Sequence, residues 1–523
     1  MPLTSRTRSA SLTLQPGHGD RPDPASGHGG KLDFDGAKPA GTTEAKLRDA
    51  EGADSLIVTS FGKFERRERW TILKNVLAIS FAFSCLFTAF TGMGNLQSSI
   101  NSEGGVGNAG MATIYVALIV SCLFLPSLVI NRLTCKWAIV VCTFLYSLYL
   151  LAQFYPRLYT IIPGAIILGI SAAPMWSAKC TYLTQVSGPW ALLIRHGDWS
   201  SARPSRWIVK FFGVFFLFFQ TGQIWGNLIS FLVLTPEEQA TVSPSDEGLA
   251  ICGIAYCPGS EEAFNNTNLQ RPPKHQINTL VGVYLALGVA ASVLLAVLVD
   301  SLGKYGENDR DTSASGTRPL TLLLATMMHM KKPYQLLIIP LTMWSGFEQA
   351  FLMADFTKAF VSCAWGIHRV GLVLIVYGIT DSICSFSFGF IIKRVGRVPL
   401  FVVAAALNYA AIATFIHWAP GPDETHVFFL LAAGWGMADA VWQTQINALY
   451  GVIFPDTAEA AFSNYRLWES LGYAAAFIYS DLLCVTRKVD LLITVLTIGM
   501  LGYFAIELME RRKAKGDMKV TKE

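Results

Sequence analysis

Eight ionisable residues sit inside long apolar stretches of this 523-residue chain: Lys179, Glu348, Asp355, Lys358, Asp381, Asp439, Arg466 and Glu469. A charge surrounded by hydrocarbon costs roughly 2.5–3.5 kcal/mol or more, so each must be paired, protonated or reached by water. Asp355 and Lys358 are three positions apart, as are Arg466 and Glu469. On a helix each pair neutralises itself and reads as a structural salt bridge. Glu348 and Asp355 are seven apart and share a helical face. Lys179 lies near the end of its apolar run, where its stem would let the ammonium snorkel to water. Glu348, Asp381 and Asp439 have no basic residue three or four positions away. Each requires a proton, a partner on another helix, or water. Two readings stay open for these three: proton-relay or cation-binding chemistry, and a satisfied structural network. Gln220, Gln223 and Asn227 form one polar stripe, and Gln443 and Asn447 a second. Such stripes line a cavity or hydrogen-bond across helix interfaces.

The elements that must position these residues are membrane helices. Hydrophobic residues make up 52% of the chain and charged residues only 15%, against about 25% charged in soluble proteins. A bilayer core takes roughly 20 apolar residues in a helix. Twelve such segments are expected: 73–94, 111–131, 137–155, 160–185, 207–234, 277–299, 334–357, 369–392, 398–418, 426–453, 460–484 and 489–509. Lys and Arg crowd the N-terminal flank (Lys63, Arg66, Arg67, Arg69), every second loop and the C-terminal tail (Arg511, Arg512, Lys513), which places both termini in the cytosol. The net charge of +4 is too small to suggest a nucleic-acid partner. Residues 1–60 are rich in Gly, Pro and Ser and read as a disordered cytosolic tail without the apolar core of a signal peptide. The first membrane helix is therefore expected to act as the start signal. A polar cytosolic loop, 300–333, separates a six-helix half over 61–299 from a second over 334–510, with 511–523 as a cytosolic tail.

The loop 235–276 is expected outside. It holds Asn265-Asn266-Thr267, a glycosylation acceptor, and the pair Cys252 and Cys257. An oxidising compartment would let those two cysteines join; the alternative is two free thiols in a mobile loop. The other eight cysteines lie in or beside spans and read as small core residues. No metal-ligand set, phosphate-binding loop, nucleophile elbow or T-V-G-Y-G filter appears, so neither an enzyme, a cofactor nor a potassium pore is expected.

Twelve helices with cytosolic ends and a long central loop resemble the major facilitator architecture, an all-α membrane fold of two six-helix halves. Gly389-Phe-Ile-Ile-Lys-Arg-Val-Gly-Arg397 is similar to the G-x-x-x-D-R-x-G-R/K loop motif of that superfamily, with Lys393 where the aspartate belongs. The matching loop of the first half, residues 126–136, lacks the glycines. In that fold the first, fourth, seventh and tenth helices line the cavity; Lys179 falls on the fourth, Glu348, Asp355 and Lys358 on the seventh, and Asp439 on the tenth.

More local motifs resemble the uncoordinated-93 family: Asn95-Leu-Gln-Ser-Ser-Ile-Asn101, Phe218-Phe-Gln-Thr-Gly-Gln-Ile-Trp-Gly-Asn-Leu-Ile-Ser230, Trp176-Ser-Ala-Lys-Cys-Thr-Tyr-Leu-Thr184, Gln443-Thr-Gln-Ile-Asn-Ala-Leu-Tyr450 and Ser463-Asn-Tyr-Arg-Leu-Trp-Glu-Ser470. The resemblance covers residues 65–510. It implies a regulatory subunit of a potassium channel at the plasma membrane, since nematode members regulate two-pore potassium channels. A vertebrate relative escorts Toll-like receptors to endosomes, which keeps a trafficking escort and an endomembrane location open. The acidic trio supports a third reading, a proton- or cation-coupled transporter.

Overall fold

The computed structural model describes residues 43–194, 204–235, 246–260, 266–305, 327–454 and 457–520. Asn265 and most of the expected central loop lie outside the described residues. No strand occurs among those described. Phe64–Glu523 form one compact unit.

The first helix, α1 (Thr43–Gly94), begins inside the stretch expected to be a loose tail. Residues 44–50, Glu-Ala-Lys-Leu-Arg-Asp-Ala, are mostly strong helix formers, which accounts for the extension. A short α2 (Gln97–Ile100) follows, and then α3 (Val106–Ala152). α3 covers two expected spans and breaks only at Thr134 (φ 69°, ψ 161°). Next come α4 (Leu158–Ile194), α5 (Pro204–Leu234), a short α6 (Asp246–Ala250) and α7 (Lys274–Leu298). These elements, which precede residue 306 in the sequence, are called the first group below, and those that follow residue 326 the second. The second group starts with α8 (Pro333–Phe351), whose last turn widens into a π-helix over Leu352–Ser362. α9 (Val370–Val395) and α10 (Arg397–His417) follow. α11 (Thr425–Val441) passes through a π-turn, Trp442–Ile446, into α12 (Asn447–Ile453). α13 (Ala458–Ser480) and α14 (Val485–Val520) complete the group.

Ten helices among the described residues are long and apolar enough to cross a membrane. The segments expected at 426–453 and 460–484 are helical but fall short of that measure. They carry Asp439, Gln443 and Asn447, and Glu459, Arg466 and Glu469, which dilute their apolar windows.

Close backbone approach sets the positions of the charged residues. A Cβ on Gly346 of α8 would lie 2.2 Å from the Glu469 carbonyl oxygen on α13. A Cβ on Gly436 of α11 would lie 2.6 Å from the Tyr377 carbonyl oxygen on α9. Only glycine lets these helix pairs approach so closely. α8 is thereby seated on α13, and α11 on α9.

The two ends of the bundle differ. At the end carrying α2 and α6, polar contacts join the first group to the second. Ser98 Oγ lies 3.4 Å from Thr357 Oγ1, Ser99 Oγ 3.0 Å from Ser362 Oγ, and Asn108 Nδ2 donates to Asp481 Oδ1 at 2.9 Å. All four residues of α2 are buried. At the opposite end, contacts within each group include Lys74–Asp300 at 3.0 Å, Lys332–Thr457 at 2.8 Å and Tyr334–Glu510 at 2.7 Å. Mid-bundle, Tyr115 and Tyr473 stack at 4.1 Å between centroids, and Gln220 donates to Asp381 Oδ2 at 2.6 Å.

Candidate functional site

Asp439 anchors the central site. Its Oδ2 accepts from the Tyr377 hydroxyl at 2.6 Å, and its Oδ1 from Gln349 Nε2 at 2.9 Å. Gln349 in turn accepts from the Tyr473 hydroxyl. These bonds bring together α8, α9, α11 and α13. The glycine contact at Gly436 places Asp439 beside Tyr377, because the two helices touch less than one turn away. Asp381, one turn beyond Tyr377 on α9, accepts from Gln220 and from Ser385 Oγ at 3.2 Å. Glu348 is fully buried. The groups it faces are Asp439 and Trp435 on α11, with Asp381 further off. The structure thus joins the three acids named from the sequence, and the bonds and groups just described supply no cation to them.

The physics of that arrangement is demanding. Two carboxylates about 4 Å apart repel by about 4 kcal/mol at an effective dielectric of about 20. Burying each charge costs several kcal/mol more. Hydrogen bonds from Tyr377, Gln349, Gln220 and Ser385 stabilise Asp439 and Asp381 as acceptors. Around Glu348 the neighbouring donor is the Trp435 indole. Sequence reasoning missed Tyr377, Gln349 and Tyr473, although Tyr377 and Asp381 are four apart and mark one face of α9.

The remaining charged residues do not join this site. Asp355 was expected to face the same way as Glu348 and to pair with Lys358; it does neither. The helix changes from α to π at Leu352, and the wider turn rotates Asp355 away from Glu348. Asp355 Oδ1 instead bonds Lys488 Nζ at 2.5 Å, with both side chains almost wholly buried, and also accepts from Ser480 Oγ at 2.8 Å. Lys358 lies 3.8 Å from Asp481. Arg466 Nη1 donates to Glu469 Oε2 at 2.7 Å, while Glu469 Oε1 accepts from Tyr465 at 2.7 Å. The Arg466 side chain is half-exposed on α13. Lys179 does not snorkel. It is 1% exposed, and its ammonium sits 4.0–5.2 Å from the ring centres of Phe215, Trp176, Phe212 and Phe216. Four aromatic faces stabilise the cation where a carboxylate would otherwise be needed.

The cysteines correct the sequence reading most sharply. Cys252 and Cys257 do not join each other. Cys252 is bonded to Cys363 and Cys257 to Cys484. Cys363 follows directly on the π-helix of α8, and Cys484 lies in the turn between α13 and α14. Cys252 flanks a 3₁₀ turn at Gly253–Ala255 that directs the two cysteines to separate partners. Further bonds hold the same strap of chain to the second group. Val485 N–H donates to the Tyr256 carbonyl at 2.9 Å, and Asn266 and Asn268 donate to the Cys363 carbonyl at 3.2 and 3.0 Å. Grouping cysteines by the face on which their spans end would have brought all four together from the sequence.

Architecture and site together define a polytopic helical membrane protein of the major facilitator fold. The crystal structure of the nucleoside transporter NupG superposes with a TM-score of 0.56 at 13% identity, covering 83% of this chain and 99% of that one. At that identity the likeness concerns the fold alone. A family model described as "Ion channel regulatory protein UNC-93" matches residues 97–506, and the chain belongs to that family. "Protein unc-93 homolog A" of Xenopus laevis is 44% identical over 446 residues, 85% of this chain and 95% of the relative. "Putative potassium channel regulatory protein unc-93" of Caenorhabditis elegans is 37% identical, over 83% of this chain and 61% of the relative.

Proposed function

We propose that this chain is a non-catalytic regulatory subunit of a potassium channel, resident in the plasma membrane on a twelve-span frame with both termini cytosolic. The family's description and the nematode relative's name support the channel as partner. α11 with α12, and α13, supply the two spans beyond the ten apolar ones. The charge asymmetry supports the orientation, and so do the disulfides, which persist in oxidising compartments.

One observation carries the regulatory reading over transport: the two disulfides at a single mouth of the bundle. A transporter of this fold parts its two helix groups at each face in turn. Here the outer strap leaves the first group at α5, crosses to the second group, and is covalently held there at Cys363 and Cys484 before returning to α7. Outward opening must draw on the slack of that strap and also break the Ser98, Ser99 and Asn108 contacts beneath it. A subunit held closed on one face suits a fixed binding partner better than a carrier.

Proximity labelling from the C-terminal tail in native membranes tests the proposal. Enrichment of a potassium channel subunit is expected. Enrichment of trafficking receptors instead would move the assignment to an escort. The acidic cluster favours the second reading, a proton- or cation-coupled transporter, which predicts a solute flux abolished by Asp439→Asn.

A further inference from the structure

We propose that a cleft beside α2 binds the phosphate of a membrane phospholipid between the guanidinium groups of Arg157 and Arg271. The cleft lies at the end of the bundle that carries α2 and α6, and its volume is about 100 Å³. A pocket for a drug-sized molecule takes roughly 300–1,000 Å³, so this one suits a single ionic group rather than a whole solute. Arg157 comes from the turn between α3 and α4, and Arg271 from the strap that leads into α7. Guanidinium groups take phosphate oxygens through paired N–H donors. Glu103 is the one carboxylate among the residues lining the cleft. Two cations and one anion leave a single positive charge, which matches the single negative charge of a phosphodiester. A phosphomonoester carries about 1.5 to 2 negative charges at pH 7 and matches less well.

Hydrogen bonds fix the floor of the cleft. Asn101, the last residue of the Asn95–Asn101 motif, is buried, and its Nδ2 donates to Gln97 Oε1 at 3.0 Å and to Gln153 Oε1 at 2.8 Å. Its Oδ1 accepts from Arg271 Nη2 at 3.5 Å, which holds that guanidinium over the floor. The Arg157 guanidinium stands 5.9 Å from the ring centre of Tyr155. Both arginine side chains are exposed, so a ligand reaches them. The surroundings point to lipid as the source of the phosphate. The turn around Arg157 reads Phe154-Tyr-Pro-Arg-Leu-Tyr159, and Phe154, Tyr155, Leu158 and Tyr159 are all exposed. Tyrosine rings at the ends of membrane helices gather at headgroup depth, where lipid phosphates stand. A soluble anion gains nothing from such an apolar rim. The proposal needs the membrane fold but not the channel reading; in the orientation proposed above, the lipid belongs to the outer leaflet.

The test is native mass spectrometry of the purified full-length protein in detergent, titrated with dioleoylphosphatidylglycerol, with dioleoylglycerol as the same lipid lacking phosphate, and with inorganic phosphate. The expected result is retention of one phosphatidylglycerol more tightly than any dioleoylglycerol. Arg157→Gln and Arg271→Gln should each weaken that retention about tenfold, the loss of one charge-assisted contact. Arg487→Gln is the control, since Arg487 is an exposed arginine already 3.8 Å from Asp490, and it should change nothing. Glu103→Gln should tighten binding, an outcome that misfolding does not produce, and gel filtration confirms that each variant is folded. Equal retention by the native protein and the Arg157→Gln, Arg271→Gln double variant would overturn the proposal. Equal retention of dioleoylglycerol would do so too, by making the contact one with acyl chains alone. Displacement of the lipid by inorganic phosphate at equal concentration would make the cleft a site for a free anion and would refute the lipid assignment.

Discussion

Cutting the chain between its two helix groups gives a sharp prediction. The bonds Cys252–Cys363 and Cys257–Cys484 each cross from residues before the central segment to residues after it. They close loops with sequence separations of 111 and 227 residues. In the chain-entropy treatment each loop restricts the unfolded chain by about 5 kcal/mol, a ceiling for a protein whose unfolded helices stay in the bilayer. A protease site placed within residues 306–326 would therefore yield two fragments that migrate together on a denaturing gel and separate only after reduction. Cys252→Ser or Cys257→Ser alone leaves one bond, and the fragments stay joined. The double variant releases them, and its thermal transition falls, by at most the sum of the two contributions. Fragments that separate without reductant in the native protein would refute the reasoning, because that is the behaviour of a Cys252–Cys257 bond confined to the outer loop.

Three further outcomes follow from particular contacts. Asp355→Asn or Lys488→Met leaves one buried charge without its partner and should cost about 3–5 kcal/mol, whereas Asp355→Leu with Lys488→Met recovers most of the loss; thermal unfolding in detergent measures both. Gly436→Val drives two methyl groups into the Tyr377 carbonyl and should lower the unfolding temperature more than Gly434→Val, where a Cβ meets nothing within 4 Å. His329 packs edge-on against Phe454 at 4.4 Å, and burial together with the Lys332 cation holds its imidazole below the ordinary range. The unfolded chain then binds more protons than the folded one, so this contribution is complete above about pH 6.5 and is lost as pH falls toward the folded value, by at most about 1.36 kcal/mol per pH unit. His329→Phe should flatten that acid limb in denaturation curves measured across the range.

The helical membrane class was legible because a bilayer leaves few alternatives to long apolar helices. Glu348, Asp381 and Asp439 were legible as a group because an unpaired acid in an apolar run is rare and has to be met by another helix. Their actual partners were not legible. Tyr377 and Gln349 are ordinary residues until Gly436 and Gly346 bring the helices together. The Asp355–Lys358 reading failed on a local event, the shift from α to π turns at Leu352, which apolar periodicity does not encode. Lys179 misled because proximity to an end of a span is weaker than the pull of four aromatic rings. The disulfide reading failed because nearness in sequence was taken for nearness in space, whereas Cys363 and Cys484 lie at the same mouth.

The regulatory claim meets its most direct test in the potassium current of the channel recovered by proximity labelling, recorded with and without this chain in the same cells. A change in current amplitude or gating is expected when the chain is present, retained in Asp439→Asn if no solute flux is involved. A current unchanged by the chain, with both proteins present at the cell surface, would contradict it.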